Sequence, residues 1–146
     1  MTVQKLRKYL SRGFTLSKSI KAKEDSINEL RALLESMNSS IHLVKVQTSL
    51  KSDRIGSIIA QIADLEEEYL HEIEKRLEQW RVSKSLIATI SNDNEKIIME
   101  DRYINTKKWQ DVASSNGYSE EGVKKIDRIV LEKLVKYLKN NPIDGL

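Results

Sequence analysis

The sequence predicts an all-α protein, with a long antiparallel helical hairpin towards the N-terminus and a small helix-turn-helix domain towards the C-terminus. Three observations lead there. The 146 residues include only 5 Gly and 1 Pro, and 32% of them are charged. That mix argues against a sandwich, a barrel or a collagen-like chain and favours long helices with narrow apolar stripes. Apolar residues recur every three or four positions along two long stretches, the helical period. In the last third of the chain the period breaks into short pieces separated by turn residues.

The first segment, 1–51, reads as a basic helix followed by a loop. Leu16, Ile20, Ile27, Leu30, Leu34 and Met37 keep the helical spacing, with Lys23 as an interruption. Gly13 is expected to break off a short leading helix that holds Leu6, Tyr9 and Leu10. Asn38–Lys51 is rich in Ser and Asn and is expected to be a loop. The second segment, 52–90, reads as one long helix capped by Ser52 or Asp53. Its stripe runs through Ile55, Ile58, Ile62, Leu65, Tyr69, Ile73, Leu77 and Trp80. From Ile58 the step averages about 3.7 residues, nearer a straight helix than the 3.5 of a left-handed supercoil. Such a helix cannot bury its stripe on itself, so it must pair with the first segment, a second copy, or both.

The third segment, 91–146, reads as three short helices. Ser91-Asn92-Asp93 is a cap cluster, Glu95–Ile104 a helix, and Asn105-Thr106 its end. Trp109–Asn116 follows, then a turn at Gly117-Tyr118-Ser119, then a helix from Glu120 to Leu138 stopped by Asn140-Asn141-Pro142. A short helix, a glycine turn and a longer helix make the helix-turn-helix pattern. Ala113 is small enough for close approach, Gly117 can take positive φ, and Ser119 can cap the last helix. Val123, Ile126, Val130, Leu131, Leu134 and Leu138 are expected to face inward. Glu121, Lys124, Lys125 and Arg128 are expected to face outward, with Asp127 beside them.

Charge is uneven along the chain. The net is +3 overall, made of +6 over 1–51, −3 over 52–91 and zero over 92–146. Seven basic residues and no acid precede Glu24, which makes this arm a candidate for phosphate contact as well as a solvated helical face. Cysteine is absent, so disulfides, thiol nucleophiles and Cys-based zinc sites are excluded. No apolar run approaches the roughly 18 residues of a membrane span. MTVQKLRKYL lacks the apolar core of a secretory signal, and a cytoplasmic location is expected. Glu68-Tyr69-Leu70-His71 has the Glu-x-x-His spacing of di-iron bundles, but those need a second copy of the motif. His42 has no evident partner. We find no phosphate loop, catalytic triad or paired-carboxylate setting. Neither an enzyme, a metal, a cofactor nor a small-molecule substrate is expected.

A family resemblance rests on the residues just described. Ser119–Leu134, SEEGVKKIDRIVLEKL, is similar to the recognition helix of region four of primary sigma factors. More broadly, residues 52–138 resemble phage late-operon transcription regulators of the RinA and ArpU type. The likeness is carried by Ser52-Asp53-Arg54-Ile55-Gly56, Ala63-Asp64-Leu65-Glu66, Glu100-Asp101-Arg102-Tyr103-Ile104, Trp109, Ala113 and Gly117-Tyr118-Ser119. It implies a sigma region-four-like domain over 91–146 that binds double-stranded DNA and activates late genes of a phage or prophage. By position, Glu120, Glu121, Lys124 and Lys125 would read bases, since Lys donates to guanine and Glu accepts from cytosine. Thr106, Lys107, Lys108 and Arg128 would hold phosphates. Sigma factors carry basic residues where this chain has Glu120 and Gly122. The hairpin would mediate a homodimer or contact host RNA polymerase. Two other readings fit the same pattern: a small terminase subunit recognising phage DNA for packaging, and a helical adaptor that does not bind DNA.

Overall fold

In a computed structural model, the backbone is described at residues 1–43 and 49–146, and side chains at 1–39 and 50–146. The described residues are helical with no strand. Helix α1 spans Val3–Leu43 and α2 spans Ser49–Ile87. Three shorter helices follow, α3 (Asp93–Met99), α4 (Trp109–Asn116) and α5 (Glu120–Asn140). Between α3 and α4 the chain takes a π-helical turn, Glu100–Ile104.

Two expectations fail in the long helices. Gly13 does not break α1. A Cβ at this position would lie 3.1 Å from the Arg76 guanidinium and 3.2 Å from Gln79 Oε1, so the glycine lets α2 side chains come close to the α1 backbone. The expected loop at 38–51 is helical at 38–43 and 49–51. The stretch holds no Gly or Pro, and Ser39 Oγ donates back to the Glu35 carbonyl at 3.1 Å, a bond that serine makes within a helix. Residues 44–48, and the side chain of His42, lie outside the described residues.

The chain forms two compact units. One combines Met1–Leu16 with Lys75–Leu146, and the other is Ser17–Glu74. In the second unit α1 and α2 run antiparallel. Ile27 and Arg31 line a groove with Tyr69 and Glu66, while Leu33 and Met37 line another with Gln61 and Arg54. Arg31 pairs with Glu66 across the helices. The apolar stripe is thinly covered. Ile27 and Ile58 are buried, and Leu30, Leu34, Ile62, Leu65 and Tyr69 only partly so, while Leu33, Leu50, Ile59 and Leu70, which lie off the stripe, are exposed.

The first unit holds the main core. Leu6 and Leu10 of α1 meet Leu86 and Ile87 of α2, Met99 and Tyr103, and Val130, Leu131 and Leu134 of α5. Polar ties reinforce it. Gln79 Nε2, buried, donates to the Leu10 carbonyl at 3.1 Å and to Ser83 Oγ at 3.1 Å. Arg76 donates to the Ile104 carbonyl at 3.0 Å. The expected third segment therefore shares its core with the first sixteen residues of the chain.

Local signals in the C-terminal part place its elements well. Asn92 caps α3, its side chain accepting from Glu95 N at 3.0 Å. The helix expected to run unbroken to Ile104 changes to π-helical at Glu100. Helix α4 has its expected bounds, and α5 ends at Asn140, two residues past the expected Leu138. The inward residues of α5 are buried, with Ile126 partly so.

Candidate nucleic-acid interface

The pairing of α4 with α5 is built by a small cluster of its own. Val112 and Ala113 of α4 and Val123 of α5 are buried with Ile98, and Trp109 and Ile126 pack against them. Gly117 closes α4 with φ +72°, the left-handed region, and its N–H bonds to the Ala113 carbonyl. Nothing lies within 4 Å of a Cβ built there, so the glycine answers to backbone conformation alone. Gly117→Val is expected to cost about 1–2 kcal/mol and Gly117→Asn clearly less, measured by chemical denaturation. Ser119 caps α5, its Oγ accepting from Gly122 N at 3.0 Å. A Cβ on Gly122 would lie 3.0 Å from that same Oγ.

This frame presents the charged residues of α5. Glu120, Glu121, Lys124, Lys125 and Arg128 are all exposed. Glu120 and Glu121 sit in the first turn, where the positive end of the helix dipole favours them. Lys124 Nζ lies 3.5 Å from Glu120, with both side chains half exposed. Exposed pairs one turn apart contribute only about 0.3–0.5 kcal/mol, so a ligand can replace this one readily.

Thr106, Lys107 and Lys108 lie instead in the bend between the π-helical turn and α4. Thr106 takes φ +50°, unusual for a residue with a branched side chain. Lys107 Nζ pairs with Asp101 at 3.3 Å, and its backbone N–H bonds to the Asp101 carbonyl at 3.0 Å. Lys108 is exposed and occupies the N-cap of α4, where no side chain caps the helix.

Asp127 does not stand beside the charged face. It is 2% exposed and accepts from Tyr103 Oη at 2.6 Å and from Arg7 at 3.3 Å. Burial pushes its carboxyl above the usual carboxylate range, against the pull of these two donors. Tyr103 is pushed up by burial and by the Asp127 charge. The phenol therefore stays neutral and donates.

Sequence reasoning missed the groups that hold this region together. Asp101 accepts from Lys107 and, at 3.1 Å, from Asn116 of α4. The Arg102 guanidinium lies 4.3 Å from the ring centre of Phe14 and 4.3 Å from that of Trp109. It also donates to the Lys107 carbonyl at 2.9 Å. Burial lowers its pKa. Arg7 and Phe14 come from α1, about a hundred residues away in sequence, and no local pattern connects them to their partners.

No family model, curated protein or solved structure matches this chain. Among the described residues, no cluster of three or more metal-ligating side chains occurs. No described helix is long and apolar enough to cross a membrane.

Proposed function

We propose that this protein is a sequence-specific double-stranded DNA-binding transcriptional regulator, with α4 and α5 as a sigma region-four-like helix-turn-helix. The observation that carries the reading is the exposed row of Glu120, Glu121, Lys124, Lys125 and Arg128 on a helix fixed by a capped glycine turn. A helix held this way can enter a major groove and offer donors and acceptors to base edges. Thr106, Lys107 and Lys108 would hold phosphates, which position the helix without reading sequence. The resemblance to RinA- and ArpU-type regulators supplies the biological setting, activation of phage late genes in a bacterial cytoplasm. The helical pair of residues 17–74 would then serve a homodimer or RNA polymerase. No enzymatic activity, cofactor or small-molecule substrate is part of this reading.

The test is selection of bound duplexes from a random DNA pool at near-physiological salt, with Lys124→Ala/Lys125→Ala alongside. Each base-reading contact is worth about 1–3 kcal/mol. The wild type is therefore expected to enrich one sequence, and the double variant to enrich none while keeping its helicity. Enrichment of the same sequence by both proteins would reject the assigned reading face. No enrichment by the wild type would favour a helical adaptor or a protein that needs RNA polymerase to hold DNA.

A further inference from the structure

We propose that Arg102 is a positioning residue for the phosphate-holding bend, fixing Lys107 and Lys108 ahead of α4. The inference rests on the DNA-binding reading above and adds to it the part that organises the contact. Arg102 touches both the bend and the start of α4. One arm of its guanidinium donates to the Lys107 carbonyl at 2.9 Å, and the guanidinium carbon lies 4.3 Å from the ring centre of Trp109, the first residue of α4. Phe14 of α1 lies 4.3 Å away as the second ring of the contact. A planar guanidinium spreads its charge over two rings while its edge N–H groups donate, whereas an ammonium is a compact point charge that cannot span the same set of partners.

The bend has reason to need such a clamp. Thr106 holds φ +50°, a conformation of the kind that persists only where its surroundings impose it. The Arg102 Nε is buried and meets no acceptor among the described residues. This charge is therefore placed at some expense in desolvation, and the two rings and the Lys107 carbonyl are what it gains.

Arg102→Lys keeps the charge and loses the fork and the plane. In the free full-length protein, the Lys107 amide is expected to exchange its hydrogen about tenfold faster in this variant, while the amides of α5 keep their protection. Duplex binding is expected to weaken about tenfold in the wild-type background and by less than about twofold where Lys107→Ala/Lys108→Ala is already present, since groups acting as a unit are not additive. Equal losses in both backgrounds, or an unchanged Lys107 exchange rate, would overturn the assignment. Should Arg102→Lys lower helicity, Phe14→Leu replaces it in the same cycle, loosening one ring and leaving the arginine. If the wild type selects no duplex, the reading of a protein that binds DNA by itself falls, and the role of Arg102 with it. If it selects one and the cycle is additive, only the role of Arg102 falls.

Discussion

A chain reduced to residues 91–146 is expected not to unfold cooperatively, although it contains the whole α3–α5 region. The cut removes Leu6, Leu10, Leu86 and Ile87, each essentially inaccessible to solvent. Burying a large aliphatic side chain contributes about 1.5–3 kcal/mol, so the four together contribute about 6–12 kcal/mol. That equals most of the roughly 5–15 kcal/mol by which a whole domain is stable. The fragment keeps Ile98, Val112, Ala113 and Val123, and the Met99, Tyr103, Val130, Leu131 and Leu134 side of the main core, but that side loses the α1 and α2 residues that cover it. Circular dichroism on heating should give a broad, shallow curve for 91–146 and a sigmoid for the full chain. A sharp transition in the fragment would show that α3–α5 fold unaided.

The second large effect is at Asp127. Replacing it with Ala leaves the Tyr103 hydroxyl buried without an acceptor and removes the partner of Arg7. An orphaned buried donor costs about 1–3 kcal/mol, and the half-exposed Arg7 recovers part of its loss from water. A total near 2–4 kcal/mol is expected in denaturant titrations. Asp127→Asn keeps an acceptor for Tyr103 and should cost about 1 kcal/mol. The pH dependence separates charge from shape. Because the folded state holds this carboxyl's pKa above its ordinary value, it binds the proton more tightly than the unfolded chain does. Its contribution is complete below the unfolded pKa of about 3.9 and is lost as pH rises through the raised folded value. The amide has no such loss. The stability advantage of the wild type over Asp127→Asn should therefore narrow as pH rises above the unfolded value of about 3.9. A constant gap would mean that Asp127 ionises as an ordinary carboxyl.

The local part of this architecture is legible in the sequence. Asn92, Gly117 and Ser119 act on residues at most four positions away, and each is found doing what its chemistry requires. The inward side of α5 follows from its helical period. Longer-range features are not legible. Gly13 carries the residue type of a helix break, and only the approach of Arg76 and Gln79 reveals its use. Asp127 carries the residue type of a surface position, and only a tyrosine and an arginine from elsewhere in the chain make it an interior one. The Ser- and Asn-rich stretch after Met37 reads as a loop because its residues favour caps and turns. Where no Gly or Pro intervenes, a helix already long can absorb them. In the candidate site, the exposed charges of α5 were visible from spacing. The Arg102 stack and the Asp101 hub were not, because their partners lie on other elements.

The shared core has a consequence for how the protein is made. Leu6 and Leu10 are made more than a hundred residues before their neighbours Leu134 and Leu138. At typical elongation rates that interval is on the order of ten seconds, far longer than a helix takes to form. During that interval Leu6 and Leu10 have at most the earlier-made Leu86, Ile87, Met99 and Tyr103 to cover them. The positive charge of residues 1–23, seven Lys and Arg with no acid, is expected to oppose association of such unfinished chains until α5 completes the core.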